Sequence, residues 1–299
     1  MPASSSAPGS ASPAPSKAQV FRVRLTSTLI LWALISVALW LQLDSVLVGI
    51  VGLLGILGTW EYFRLQNADA QSRDFTRLAV SISFVYWVAT GLLTVPGHRE
   101  PPWWLDAAML VITLHGAFYL SFRTALDGTN TLRRIQNLVF GMVYTTFLAG
   151  FMTRLLFFEG AASGRHLLLL FVMTTKFGDM GAYAIGSWLG KHKMIPHISP
   201  AKTWQGFGGA IAGSYLAMVA MMLIVPEKLA PLTWGHALIL APLLSISGVA
   251  GDLAESVLKR CHSIKDSGHK LPGIGGILDL TDSLIFTAPV AYCYLKSIS

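Results

Sequence analysis

Apolar runs of 15 to 24 residues recur along this 299-residue chain, and they leave it few ways to fold. A helix needs about 20 residues to cross the hydrocarbon core of a bilayer. In lipid each backbone N–H and C=O must find its partner inside the segment, so such runs become helices. Charged residues make up only 12% of the chain, about half the share of an ordinary soluble domain. The expectation is an all-α, polytopic transmembrane helical bundle of about nine spans, N-terminus cytoplasmic. The runs are Ser27–Leu43, Val46–Phe63, Leu78–Val95, Trp104–Phe122, Ile135–Phe158, Leu167–Leu189, Gln205–Val225, His236–Leu258 and Ile277–Leu295. A tight link leaves the first two open to being a re-entrant hairpin.

Orientation follows from Lys and Arg in the segments between runs. The counts alternate, three or four on one side and none or one on the other. By the positive-inside rule, the N-terminus and the loops around residues 123–134, 191–202 and 259–276 share the cytoplasmic face. The opening segment MPASSSAPGSASPAPS is rich in Pro, Ala and Ser, so residues 1–20 are expected to form a disordered tail. Residues 21–299 are expected to form one membrane domain. The first apolar run begins too late for a cleaved signal peptide and reads as a retained span. The net charge of +7 fits headgroup contact and orientation. No soluble basic stretch interleaved with aromatics suggests nucleic acid. Cys261 and Cys293 have no metal-ligand spacing and are not expected to pair.

Arg154 and Lys176 fall inside apolar runs. Arg154 lies near a run's outer end and is expected to snorkel. Lys176 has Asp179 one turn away, as an ion pair or as part of a substrate site.

Three polar clusters meet the predicted cytoplasmic face. In KFGDMGAYAIGSWLGKHK (176–193), glycines surround Asp179. In ISPAKTWQGFGGA (198–210), Ser199-Pro200 suits a turn, and Lys202 and Thr203 precede a helix. Those two can hold a phosphate at the helix N-terminus, or the segment can be an interfacial anchor with Trp204. The third cluster runs from GDLAESVLKR into SIKDSGHKLPGIGGILDLTD. There Asp252 and Ser256 share a helix face, with Lys259 a turn further on. Asp279 and Asp282 share a face in the first turns of the last helix, where the helix dipole favours carboxylate. Carboxylates without His or Cys suit a hard cation such as Mg²⁺, and lysines beside a glycine turn suit phosphate oxygens. The combination suits metal-assisted phosphoryl or nucleotidyl transfer. Before residue 176 the chain offers no comparable chemistry.

The third cluster resembles the C-terminal signature of the CDP-diacylglycerol synthases, or phosphatidate cytidylyltransferases. The matching residues are Ser256, Lys259-Arg260, Lys265-Asp266, Leu271-Pro272-Gly273, Gly275-Gly276, Asp279 and Asp282. Asp179-x-Gly181-Ala182-Tyr183 and Ser199-Pro200-x-Lys202-Thr203-Trp204 also look like the family's. Ile274 stands in place of a His, Leu280 of an Arg and Gln205 of a Glu. The similarity covers about residues 176–290, where the catalytic part is expected. It implies that CTP and phosphatidate give CDP-diacylglycerol and pyrophosphate. It further implies Asp252 and Asp279 as ligands of Mg²⁺, with room for a second cation. Lys259, Arg260, Lys265, Asp266 and Asp282 would lie around the nucleotide and lipid phosphates. Asp179, Ser199, Lys202, Thr203, Ser256, Gly275 and Gly276 would bind substrate. A bacterial inner or plasma membrane, a cytoplasmic active site and a homodimer are consistent with that picture. The rival readings are a CTP-dependent lipid-alcohol kinase, a relative with lost or altered turnover, and an ion-coupled transporter.

Overall fold

A computed structural model of the chain describes residues 35, 37–66, 70–123, 125–160, 163–262 and 276–299. The expected tail, most of the first apolar run, Lys265, Asp266, Ile274, Gly275 and the Leu271-Pro272-Gly273 turn lie outside the described residues. So does any test of the hairpin alternative for the first run.

Every other expected run is a helix. They are α1 (Asp44–Leu65), α2 (Ala70–Thr94), α3 (Trp103–Phe122), α4 (Thr129–Leu156), α5 (Gly164–Leu189), α6 (Trp204–Ile224), α7 (Trp234–Cys261) and α8 (Ile277–Ile298). Seven of them, α1 to α7, are long and apolar enough to cross a membrane. At 22 residues, α1 is about 33 Å long, a full crossing. Between α5 and α6 the chain forms a small antiparallel hairpin, β1 (Lys193–Ile195) with β2 (Ser199–Thr203), Lys193 opposite Thr203. Ser199, expected to open a turn, instead opens a strand. The hairpin is all the strand among the described residues, so the fold is an all-α bundle.

Local chemistry explains the helix starts. Thr203 caps α6 by accepting from Gly206 N–H at 3.1 Å, and Thr233 caps α7 by accepting from His236 N–H at 3.4 Å. Pro102 precedes α3 with extended backbone, where its missing N–H costs nothing. A π-helical segment, Val143–Phe147, interrupts α4 and turns Tyr144, Thr145 and Thr146 all inward.

Packing is closest between α5 and α6. A Cβ on Gly181 would fall 2.2 Å from the Gly209 carbonyl oxygen, so only glycine permits this approach. Phe171, Leu240, Leu244 and Leu278 fill the centre of the bundle. Large side chains such as Phe84, Leu92, Phe118 and Phe122 point outward from α2 and α3, as they would toward lipid.

The end of the bundle away from the loops of 123–134 and 190–203 is tied by buried polar clasps. Asp44 accepts two hydrogen bonds from Arg165, at 2.6 and 2.7 Å. Arg154 does not snorkel. It is 7% exposed, bonds the Pro101 carbonyl at 2.6 Å and pairs with Asp106, which also accepts from Tyr86 Oη–H at 2.7 Å. Asp106 supplies a counter-charge on the adjoining α3, so the guanidinium has no reason to climb to the interface. Cys261 and Cys293 are free thiols.

Candidate active site

The C-terminal half of α7 lies against the first turns of α8, and Gly251 makes this possible. A Cβ there would fall 2.4 Å from the Asp282 carbonyl oxygen. The contact places Asp252, next in sequence, beside Asp282 of the neighbouring helix. Glu255 is one turn along α7 from Asp252 and shares its face. Oxygens of Asp252, Glu255 and Asp282 all lie within 4.8 Å of one another. Glu255 is 2% exposed and Asp282 7%, and Glu255 Oε1 is buried without a hydrogen-bond partner.

Asp279, expected as a cation ligand with Asp252, sits one turn earlier and does other work. Its Oδ2 accepts from Gly276 N–H at 2.8 Å, closing the first turn of α8. Its Oδ1 accepts from Lys259 Nζ at 2.7 Å. Lys259 also donates to Glu255 Oε2 at 2.8 Å, so it bridges α7 and α8 at the rim of the carboxylate cluster. Lys202, at the end of β2, forms an ion pair with Asp252. Lys176 of α5 donates to Asp179 Oδ2, the Leu280 carbonyl and Ser283 Oγ, each at 3.1 Å. Ser283 Oγ donates in turn to Asp179 Oδ2 at 2.9 Å. Lys176 and Asp179 therefore form an ion pair that also ties α5 to α8.

Asp179, Asp252, Glu255, Asp279 and Asp282 thus surround Lys176, Lys202 and Lys259. Five carboxyl groups face three ammonium groups among the described residues. A divalent cation there would offset the excess of acid and let the buried carboxyls ionise together. The all-oxygen donor set and the orphaned Glu255 oxygen fit Mg²⁺.

Two cavities open on this cluster from different sides. The larger, about 520 Å³, has Asp179, Tyr183, Lys193, Lys202, Thr203 and Asp252 in its wall. It lies toward the β-hairpin, on the face expected to be cytoplasmic. The smaller, about 270 Å³, is lined by Leu47, Val51, Leu54, Val172, Leu280 and Leu284, with Lys176 and Asp279 as its charged members. Lys176 and Asp179 thus face different cavities one helical turn apart.

The remaining expected site residues fall around this centre. Thr203 is 3% exposed, its hydroxyl occupied in capping α6. Ser199 sits in the hairpin and Ser256 half-buried on α7, and neither lines the two cavities. Arg260 is exposed and donates to the Ile198 carbonyl at 3.2 Å, tying α7 to the hairpin. Gly276 caps α8. Gln205 accepts from Lys191 and His192 N–H at 3.2 and 3.1 Å through its amide oxygen, as a Glu there could. Leu280, in place of an Arg, keeps the smaller cavity apolar.

Residues 22–298 match the model of the cytidylyltransferase family. The chain is 34% identical over 203 residues to a phosphatidate cytidylyltransferase of Staphylococcus saprophyticus, covering 68% of this chain and 75% of that one. It is 44% identical over 121 residues to the phosphatidate cytidylyltransferase of Bacillus subtilis, covering 40% of this chain and 44% of that one. It is 36% identical over 192 residues to the protein YnbB of Escherichia coli, and the match spans 63% of each chain. With nearly its whole length matched, the chain belongs to the cytidylyltransferase family.

Proposed function

We propose that the protein transfers the cytidylyl group of CTP to phosphatidate, releasing pyrophosphate and leaving CDP-diacylglycerol in a bacterial plasma membrane. The observation that carries this reading is the meeting of a polar and an apolar cavity at one lysine–carboxylate cluster. A nucleotide triphosphate suits the larger, lysine-lined space, which falls within the usual range of about 300–1,000 Å³ for ligand pockets. A lipid chain suits the smaller one, whose walls are leucine and valine.

The chemistry asks little of a general base. A phosphate monoester has its second pKa near about 6, so phosphatidate reaches the site already nucleophilic. One of its oxygens attacks the α-phosphorus of CTP, a new phosphorus–oxygen bond forms, and the bond to the β-phosphate oxygen breaks. The barrier lies in bringing two polyanions together and in the charge that gathers on the leaving pyrophosphate. Lys202 and Lys176, on the two sides of the cluster, would bear on the nucleotide and lipid phosphates respectively. Lys259 holds Asp279 and Glu255, keeping α7 and α8 in register. Asp252, Glu255 and Asp282 would hold Mg²⁺, which supplies Lewis-acid charge to phosphate oxygens. The acyl chains remain in the apolar space, so the lipid need not leave the membrane.

The test is purified protein with Mg²⁺, CTP labelled in its α-phosphate and either phosphatidate or a lipid alcohol. Label entering lipid with release of pyrophosphate, and only with phosphatidate, is the expected result. Release of CDP with phosphorylation of the alcohol would assign a kinase instead. Solute flux without nucleotide would assign a transporter.

A further inference from the structure

We propose that Glu61, in the N-terminal half of the chain, is a positioning residue that fixes the first turn of α8 and so sets the aim of Asp282. The inference rests on the reaction proposed above. Beyond Asp44 at its first residue, Glu61 is the one acid of the apolar α1, 2% exposed, between Trp60 and Tyr62. An acid in such a place is costly unless something uses it. Its Oε2 accepts from Ile277 N–H at 2.6 Å, joining residues 216 apart in sequence.

The first N–H groups of a helix have no partner inside the helix and need one from elsewhere. In α8 the Gly276 N–H is taken by Asp279 of the same helix, and the Ile277 N–H by Glu61. The second bond comes from outside, so it fixes where the helix begins and how it is rotated. Packing supports it, for Ile277 and Leu278 are buried and Gly58 of α1 leaves room for both. The other side of α1 is held by a buried hydroxyl cluster. Thr59 Oγ1 lies 2.8 Å from Thr145 Oγ1 and 3.1 Å from Thr146 Oγ1, and Thr146 donates to Ser83 Oγ at 3.0 Å. Glu61 therefore reaches α8 from a helix locked to α2 and to the π-helical turn of α4. Asp282 lies five residues beyond Ile277, so a slip or rotation of the first turn moves its carboxylate away from Asp252 and Glu255.

The experiment compares wild type, E61Q and E61A by hydrogen–deuterium exchange over residues 276–283, and by turnover against Mg²⁺ concentration. Gln keeps an acceptor for the Ile277 N–H, whereas Ala removes it. In E61A, exchange of the α8 first turn should quicken at least tenfold, and half-saturating Mg²⁺ should rise at least tenfold with the KM for CTP little changed. E61Q should restore both toward wild type. Unchanged exchange in E61A would overturn the inference, as would an E61Q variant no better than E61A. Should wild type form no CDP-diacylglycerol, the proposed reaction fails, while the exchange result still decides the role of Glu61 in α8.

Discussion

Replacing Gly251 by alanine separates the close approach of α7 and α8 from every charged group in the site. The added Cβ would lie 2.4 Å from the Asp282 carbonyl oxygen and 3.1 Å from Phe286 Cβ. The first distance is roughly 0.9 Å short of a normal carbon–oxygen contact of about 3.3 Å. The obstacle is backbone and cannot swing aside, so the helices must part. Overpacking of this kind costs about 1–3 kcal/mol, and alanine returns up to about 1 kcal/mol of helix propensity. The net loss leaves a folded protein. Its effect on Asp252 and Asp282 is larger, because a displacement near 1 Å at a reacting centre can cost about 10²-fold in rate. We expect G251A to melt within a few degrees of wild type and to release pyrophosphate about 100-fold more slowly. Gly208→Ala and Gly49→Ala, where an added Cβ meets nothing within 4 Å, should behave as wild type. Wild-type turnover in G251A, or an equal loss in G208A, would refute the reasoning.

Other outcomes follow from the same geometry. Glu255→Gln should cut turnover at least 100-fold and raise the Mg²⁺ requirement, read by titrating the metal in the pyrophosphate assay. Val172→Trp, which fills the apolar cavity, should raise the KM for phosphatidate several-fold and leave that for CTP unchanged in two-substrate kinetics. Lys202→Ala should do the reverse. Arg154→Met should leave Asp106 buried without its counter-charge, a loss of about 3–5 kcal/mol. That loss should appear in thermal melts, with the folded fraction keeping its specific activity.

Sequence patterning went far toward the helices and less far toward the site. The lengths of the apolar runs anticipated α1 to α8 to within a few residues, except that α2 and α4 begin earlier, because the requirement of lipid for internally bonded backbone overrides finer preferences. The signature around Asp252, Lys259 and Asp279 pointed to the stretch where α7 meets α8 and the carboxylates gather. It could not say which carboxylates face each other. Asp279 and Asp282 share a face by spacing alone, but Gly276 needs a partner for its N–H, and Asp279 supplies it. Asp282 is left to face α7. Glu255 stands one turn from Asp252, as Asp282 stands one turn from Asp279, yet it reads as an ordinary acid in an amphipathic stretch. Glu61 gave one signal, a single charge in an apolar run. Its partner lies 216 residues away, beyond any local pattern. Arg154 reads as a snorkelling residue in the sequence for a related reason, since Asp106 meets it only once α3 and α4 have packed.

The account stands on a cation shared by Asp252, Glu255 and Asp282. Its most direct test is a crystal of the protein soaked in Mn²⁺ and measured for anomalous scattering. The prediction is a peak bonded to oxygens of all three residues, with Asp279 still paired to Lys259. A peak seated on Asp279 and Asp252, with Glu255 turned away, would contradict it.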